Sequence, residues 1–64
     1  MKHTIEKCVC VRETDKAILV ECDEFDEALW IPLSQIDDDS EVYKEGTEGD
    51  LIASSWFAEK KGWI

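Results

Sequence analysis

The chain has 64 residues, with 16 acidic against 7 basic side chains, a formal net charge of −9 and 44% apolar content. Such a chain makes one domain, residues 1–64, with a thin core that buries only about 60% of its unfolded surface, and its ordinary apolar content excludes a disordered polymer. The apolar runs are too short to span a membrane, the N-terminus does not read as a secretion leader, and the charge balance opposes direct nucleic-acid binding.

Ile5, Val9 and Val11 alternate with Glu6, Cys8, Cys10 and Arg12, interrupted only by Lys7 on the apolar phase. This period of two predicts a half-buried first strand with the valines inward. Glu13 to Lys16 reads as a polar turn, and Ala17–Cys22 as the returning strand of a hairpin. Asp23 to Glu27 is an acidic loop in which Phe25 folds back as a plug. Ala28 to Leu33 is a third strand, placed at an edge or ended by Pro32, which has no backbone donor.

Ser34 to Ser40 is a polar connection containing Asp37-Asp38-Asp39, and Glu41-Val42-Tyr43 is expected to form a brief strand. Lys44 to Gly49 reads as a turn, since Gly46 and Gly49 tolerate positive φ. Asp50 to Ser54 is the last strand. Ser55 is the expected cap of a helical turn over Trp56–Lys61, Gly62 its left-handed stop, and Trp63 and Ile64 then fold back on the core. The predicted class is mostly β with a minor α component: a small curved antiparallel sheet or barrel of four to five short strands with a C-terminal helical turn. SH3-like and OB-like strand orders both fit this pattern.

The charge is concentrated. Residues 21–50 carry twelve acids and one base, Lys44, whereas residues 1–20 and 51–64 each sum to +1. The middle of the chain must therefore form an acidic surface, and its self-repulsion works against a thin core. A basic partner is the function that would offset that cost.

Other constellations are weaker. Cys8, Cys10, Cys22 and His3 include thiolate ligands suited to zinc, but a single residue between Cys8 and Cys10 is not the spacing of structural zinc sites. An odd cysteine count also argues against a closed disulfide framework, so reduced, metal-free thiols are expected. Asp37, Asp39, Glu41, Glu45 and Glu48 fall on the acidic positions of a calcium-loop frame, yet Val42 stands where that frame needs glycine. No nucleophile, base and orienting group fall together, so neither an enzyme nor a cofactor is read. Trp30, Tyr43, Trp56, Phe57 and Trp63 could stack bases, but in so small a domain most are expected in the core.

Residues 28–62 resemble small phage- and prophage-encoded proteins. The likeness lies in Trp30-Ile31-Pro32-Leu33-Ser34-Gln35-Ile36, Asp38-Asp39-Ser40-Glu41-Val42, Gly46, Gly49 and Trp56-Phe57-Ala58-Glu59-Lys60-Lys61-Gly62. With its size and acidity the chain looks like an anti-CRISPR protein. That resemblance implies a non-enzymatic inhibitor in the host cytoplasm, binding a basic DNA-handling protein such as a CRISPR effector and blocking DNA there by mimicry. The expected contact residues are Asp23, Glu24, Asp26, Glu27, Asp37, Asp38, Asp39 and Glu41, with Trp30 and Tyr43 as aromatic anchors. Mutual repulsion favours a monomer over a homodimer. The alternative is an accessory protein-binding module of phage replication or recombination machinery.

Overall fold

The computed structural model describes residues 2–63. Four antiparallel strands, β1 (Lys2–Glu13), β2 (Ala17–Cys22), β3 (Leu29–Pro32) and β4 (Glu48–Ser54), form one sheet in the order β3-β2-β1-β4, followed by one short helix, α1 (Ser55–Lys60). The predicted mostly-β class is therefore found. The sheet is curved but stays open and is not a barrel.

A short connection explains the curvature. β3 and β4 are opposite edges, yet only a 3-10 turn, Leu33–Gln35, separates the end of β3 from Ile36, which bridges Ala53 of β4. Four residue steps reach at most roughly 14 Å, so the sheet must curl until its edges approach. Beyond Ile36 the chain runs along the free edge of β4, where Asp37 N–H donates to Ile52 O (2.8 Å) and Glu41 N–H to Asp50 O (2.9 Å). This segment covers an edge that would otherwise expose unpaired backbone groups.

β1 is the corner of the fold. Its first half pairs with β4 and its second half with β2, with register shifts between Ile5 and Cys8 and between Cys10 and Arg12. Lys7 takes a left-handed φ of 61° at the first shift. One extra residue there reverses the inside–outside phase. The valines predicted to point inward are therefore only half-buried, while Cys8 and Cys10 join Ile5, Ile18, Val20, Ile31, Val42, Leu51, Ala53 and Phe57 in the core.

Glu41-Val42-Tyr43 is not a strand. Val42 N–H donates to Ser40 Oγ (3.3 Å) and Tyr43 N–H to Thr47 Oγ1 (3.1 Å), so side-chain hydroxyls take the bonds a ladder would have supplied. Gly46 and Gly49 do adopt positive φ, 91° and 133°. Ser54, not Ser55, caps α1: its hydroxyl accepts from Phe57 N–H at 3.1 Å and donates to Gln35 Oε1. Gly62 stops the helix at φ 78°, and Trp63 returns to pack on Phe25 and Phe57 with ring centroids at 5.2 and 5.6 Å. Ile64 lies outside the described residues. Among the described residues no helix is long and apolar enough to cross a membrane.

Candidate functional site

The strand register builds an acidic row on the outer face of the sheet. Val9 of β1 pairs with Glu21 of β2 on one side and with Glu48 of β4 on the other. Beside this row lies an open depression of about 510 Å³ lined by Lys7, Cys8, Val9, Glu41, Glu48 and Gly49. A second, of about 180 Å³, is lined by Lys7, Val9, Glu21, Cys22 and Asp23. Lys7 thus has acidic neighbours to either side, but no ion pair within 4.0 Å forms there.

The expected contact residues divide among three places. Asp23 and Glu41 flank the Lys7–Val9 surface. Glu24, Asp26 and Glu27 surround Phe25 and Trp63, with Lys61 at the rim. Asp37 and Asp38 adjoin Tyr43, Leu33 and Ile36. The two acidic loops therefore line separate depressions, while Asp23 and Glu41 border the same Lys7–Val9 surface. Glu21 and Glu48, outside the expected contact set, belong to the acidic surface through their pairing with Val9. The alternation of Ala17–Cys22 turns Glu21 outward, which is a readable signal; the pairing of both glutamates with Val9 is not.

The acidic side chains differ in what they already do. Asp37 Oδ2 accepts from Asp39 N–H at 2.9 Å, and Lys2 Nζ lies 3.2 Å from both Asp37 and Asp39. The Asp39 amide, aided by Lys2, holds the Asp37 carboxyl below its ordinary value, and the two carboxylates, Asp39 first, raise the Lys2 ammonium. Glu41 Oε1 accepts from Asp50 N–H at 2.9 Å and so clamps the edge segment to β4. The Lys2 contacts are the only ion pairs among the described residues, which leaves Glu21, Asp23, Glu24, Asp26, Glu27, Asp38 and Glu48 without a cationic partner there.

Of the five aromatic residues that could stack bases, most of them expected in the core, three stand on the surface: Trp30, 48% exposed, and Tyr43, 50%, the two expected anchors, and Trp56, 57%. Trp30 faces outward because Ile31 takes the inward phase of β3. Its register partner, Leu19, is half-buried on the same outer face. Lys44 and Lys60 lie over the Tyr43 and Trp56 rings at 5.6 and 4.7 Å.

The calcium-loop frame does not survive folding as a loop of free ligands. Val42 is fully buried and Glu41 is committed to Asp50. Among the described residues no group of three histidine, cysteine or acidic side chains converges as a metal site requires. No family model matches the chain, and no curated protein or solved structure is significantly similar to it.

Proposed function

We propose that the protein works by binding, without turnover, as a monomer whose acidic surface occupies the basic DNA groove of a DNA-handling protein. The target class in view is a phage-opposed CRISPR effector in the host cytoplasm. The observation that supports this is the set of carboxylates, Glu21, Asp23, Glu24, Asp26, Glu27, Asp38 and Glu48, that have no cationic partner among the described residues, Lys2 being taken up by Asp37 and Asp39. A lysine- and arginine-lined groove supplies the missing counter-charges, and the exposed Trp30 and Tyr43 supply apolar anchor area.

The test is competition. A Cas9-type effector loaded with guide RNA is mixed with fluorescent target duplex and increasing protein. The expected outcome is loss of duplex binding that weakens as salt is raised. The variant combining Glu21→Gln, Asp23→Asn, Asp38→Asn and Glu48→Gln removes four charges that hold no backbone group in place. It should compete on the order of tenfold less well while melting like the parent. Undiminished competition by this variant at low salt would rule out charge mimicry. No competition by the parent protein would rule out this effector class.

The exposed Trp30, Tyr43 and Trp56 favour a second reading, the accessory module of replication or recombination, because exposed rings can stack on bases or protein. A gel shift with single-stranded DNA separates the two. The inhibitor reading expects no shift.

A further inference from the structure

Cys8 and Cys22 are direct register partners on antiparallel β1 and β2. Such partners have Cα atoms about 4.5 to 5.5 Å apart, within the usual range for a disulfide. Both side chains lie on the core side of the sheet, Cys8 buried and Cys22 half-buried at its margin. Both thiols also lie near one carbonyl: Glu6 O is 3.5 Å from Cys22 Sγ and 3.8 Å from Cys8 Sγ, whose shorter bond goes to Ile5 O at 3.5 Å. Cys10 is separate, since its register partner is Val20 and its thiol donates to Arg12 O at 3.1 Å. The Lys7 irregularity creates this arrangement, because a strand of unbroken alternation from Ile5 would turn Cys8 to the opposite face.

We infer that Cys8 and Cys22 are an intrachain redox site, a dithiol that closes to a disulfide across the β1–β2 hairpin when it meets a low-molecular-weight disulfide such as oxidised glutathione. The half-buried Cys22 reacts first. It gives up its proton, and its sulfur attacks one sulfur of oxidised glutathione, forming a mixed disulfide and releasing one glutathione thiol. Cys8 then loses its proton to solvent and attacks Cys22 Sγ. The Cys8–Cys22 bond forms, and the second glutathione leaves and is protonated. Two protein thiols are oxidised and one glutathione disulfide is reduced to two thiols. Burial, followed by the hydrogen bond to Cys22, pushes the Cys8 thiol well above its ordinary value, so the second step is the slow one. Closure locks the hairpin that carries Val9 and Glu21.

The experiment uses the full chain, reduced, freed of reductant and equilibrated in oxidised glutathione buffers. Exchange is then quenched with acid, free thiols are blocked with excess N-ethylmaleimide in denaturant so that buried Cys8 and Cys10 are reached, and the intact mass and peptides are read. The expected product carries one maleimide, on Cys10, and a Cys8–Cys22 linked peptide. Cys8→Ala should stop at a stable glutathione adduct on Cys22, and Cys22→Ala should leave Cys8 and Cys10 both blocked by maleimide. In urea the pairing should scatter to include Cys10. Three maleimides on the oxidised parent would overturn the proposal. So would a persistent glutathione adduct on the parent, a native disulfide through Cys10, or the same selectivity in urea.

Discussion

Ser40 is buried, 6% exposed, in the middle of the acidic edge segment. Its hydroxyl donates to Val42 O at 2.8 Å, with Asp50 O at 3.4 Å, and accepts from Ile52 N–H at 3.1 Å and Val42 N–H at 3.3 Å. It therefore satisfies backbone groups on both the segment and β4. Ser40→Ala keeps the shape and leaves those groups unmet. A buried polar group without its partner costs about 1–3 kcal/mol, and with two amides and a carbonyl affected the expected loss is about 2–4 kcal/mol. A chain this size has a total stability of roughly 3–10 kcal/mol, so the change removes a large share of it. The melting temperature should fall by roughly 8–32 °C, at 4–8 °C per kcal/mol for a small domain. Urea unfolding followed by circular dichroism measures the difference, with the exposed Ser34→Ala as control. A Ser40→Ala midpoint indistinguishable from the parent would refute the claim that this hydroxyl fastens the segment to β4.

Gly49 has φ 133°, and a Cβ placed there would lie 2.5 Å from Glu41 Oε1. Gly49→Ala should cost about 1–3 kcal/mol in urea unfolding, more than Gly46→Ala, which meets no neighbouring atom; equal costs would count against the Glu41 clamp. Trp63→Ala removes the stacking on Phe25 and the edge contact with Phe57, and should cost about 2 kcal/mol while speeding amide exchange in residues 23–28; unchanged exchange would show that Trp63 does not hold the loop. Asp37, lowered by the Asp39 amide and Lys2, contributes stability that is complete above the ordinary carboxylate value and lost as pH falls through its lower folded value. Thermal melts from about pH 5 to about pH 2 should therefore show a shallower decline for Asp37→Asn than for the parent, and parallel declines would contradict this assignment.

Much of the fold follows from local chemistry, and those parts were legible in the sequence. The hairpin of Ala17–Cys22, the third strand ended by Pro32, the turn around Gly46, with Glu48 and Gly49 of the expected turn already in β4, and the helix stopped by Gly62 each rest on residues whose backbone preferences act within a few positions. The acidity of the middle of the chain is likewise a property of composition. What the tertiary structure decided depends on register and closure. One irregularity at Lys7 exchanges Cys8 and Cys10 for Val9 and Val11 as core residues, because a shift of one residue moves every later side chain to the other face. The placing of Glu21 and Glu48 on either side of Val9, and of Cys8 opposite Cys22, depends on strand pairing, which no local pattern encodes. Trp30 and Tyr43 remain outside because Ile31 and Val42 fill the inward positions of a small core. Ser40 reads as a loop serine in sequence and becomes a buried junction only when β3 and β4, opposite edges of one sheet, are drawn together by a three-residue turn.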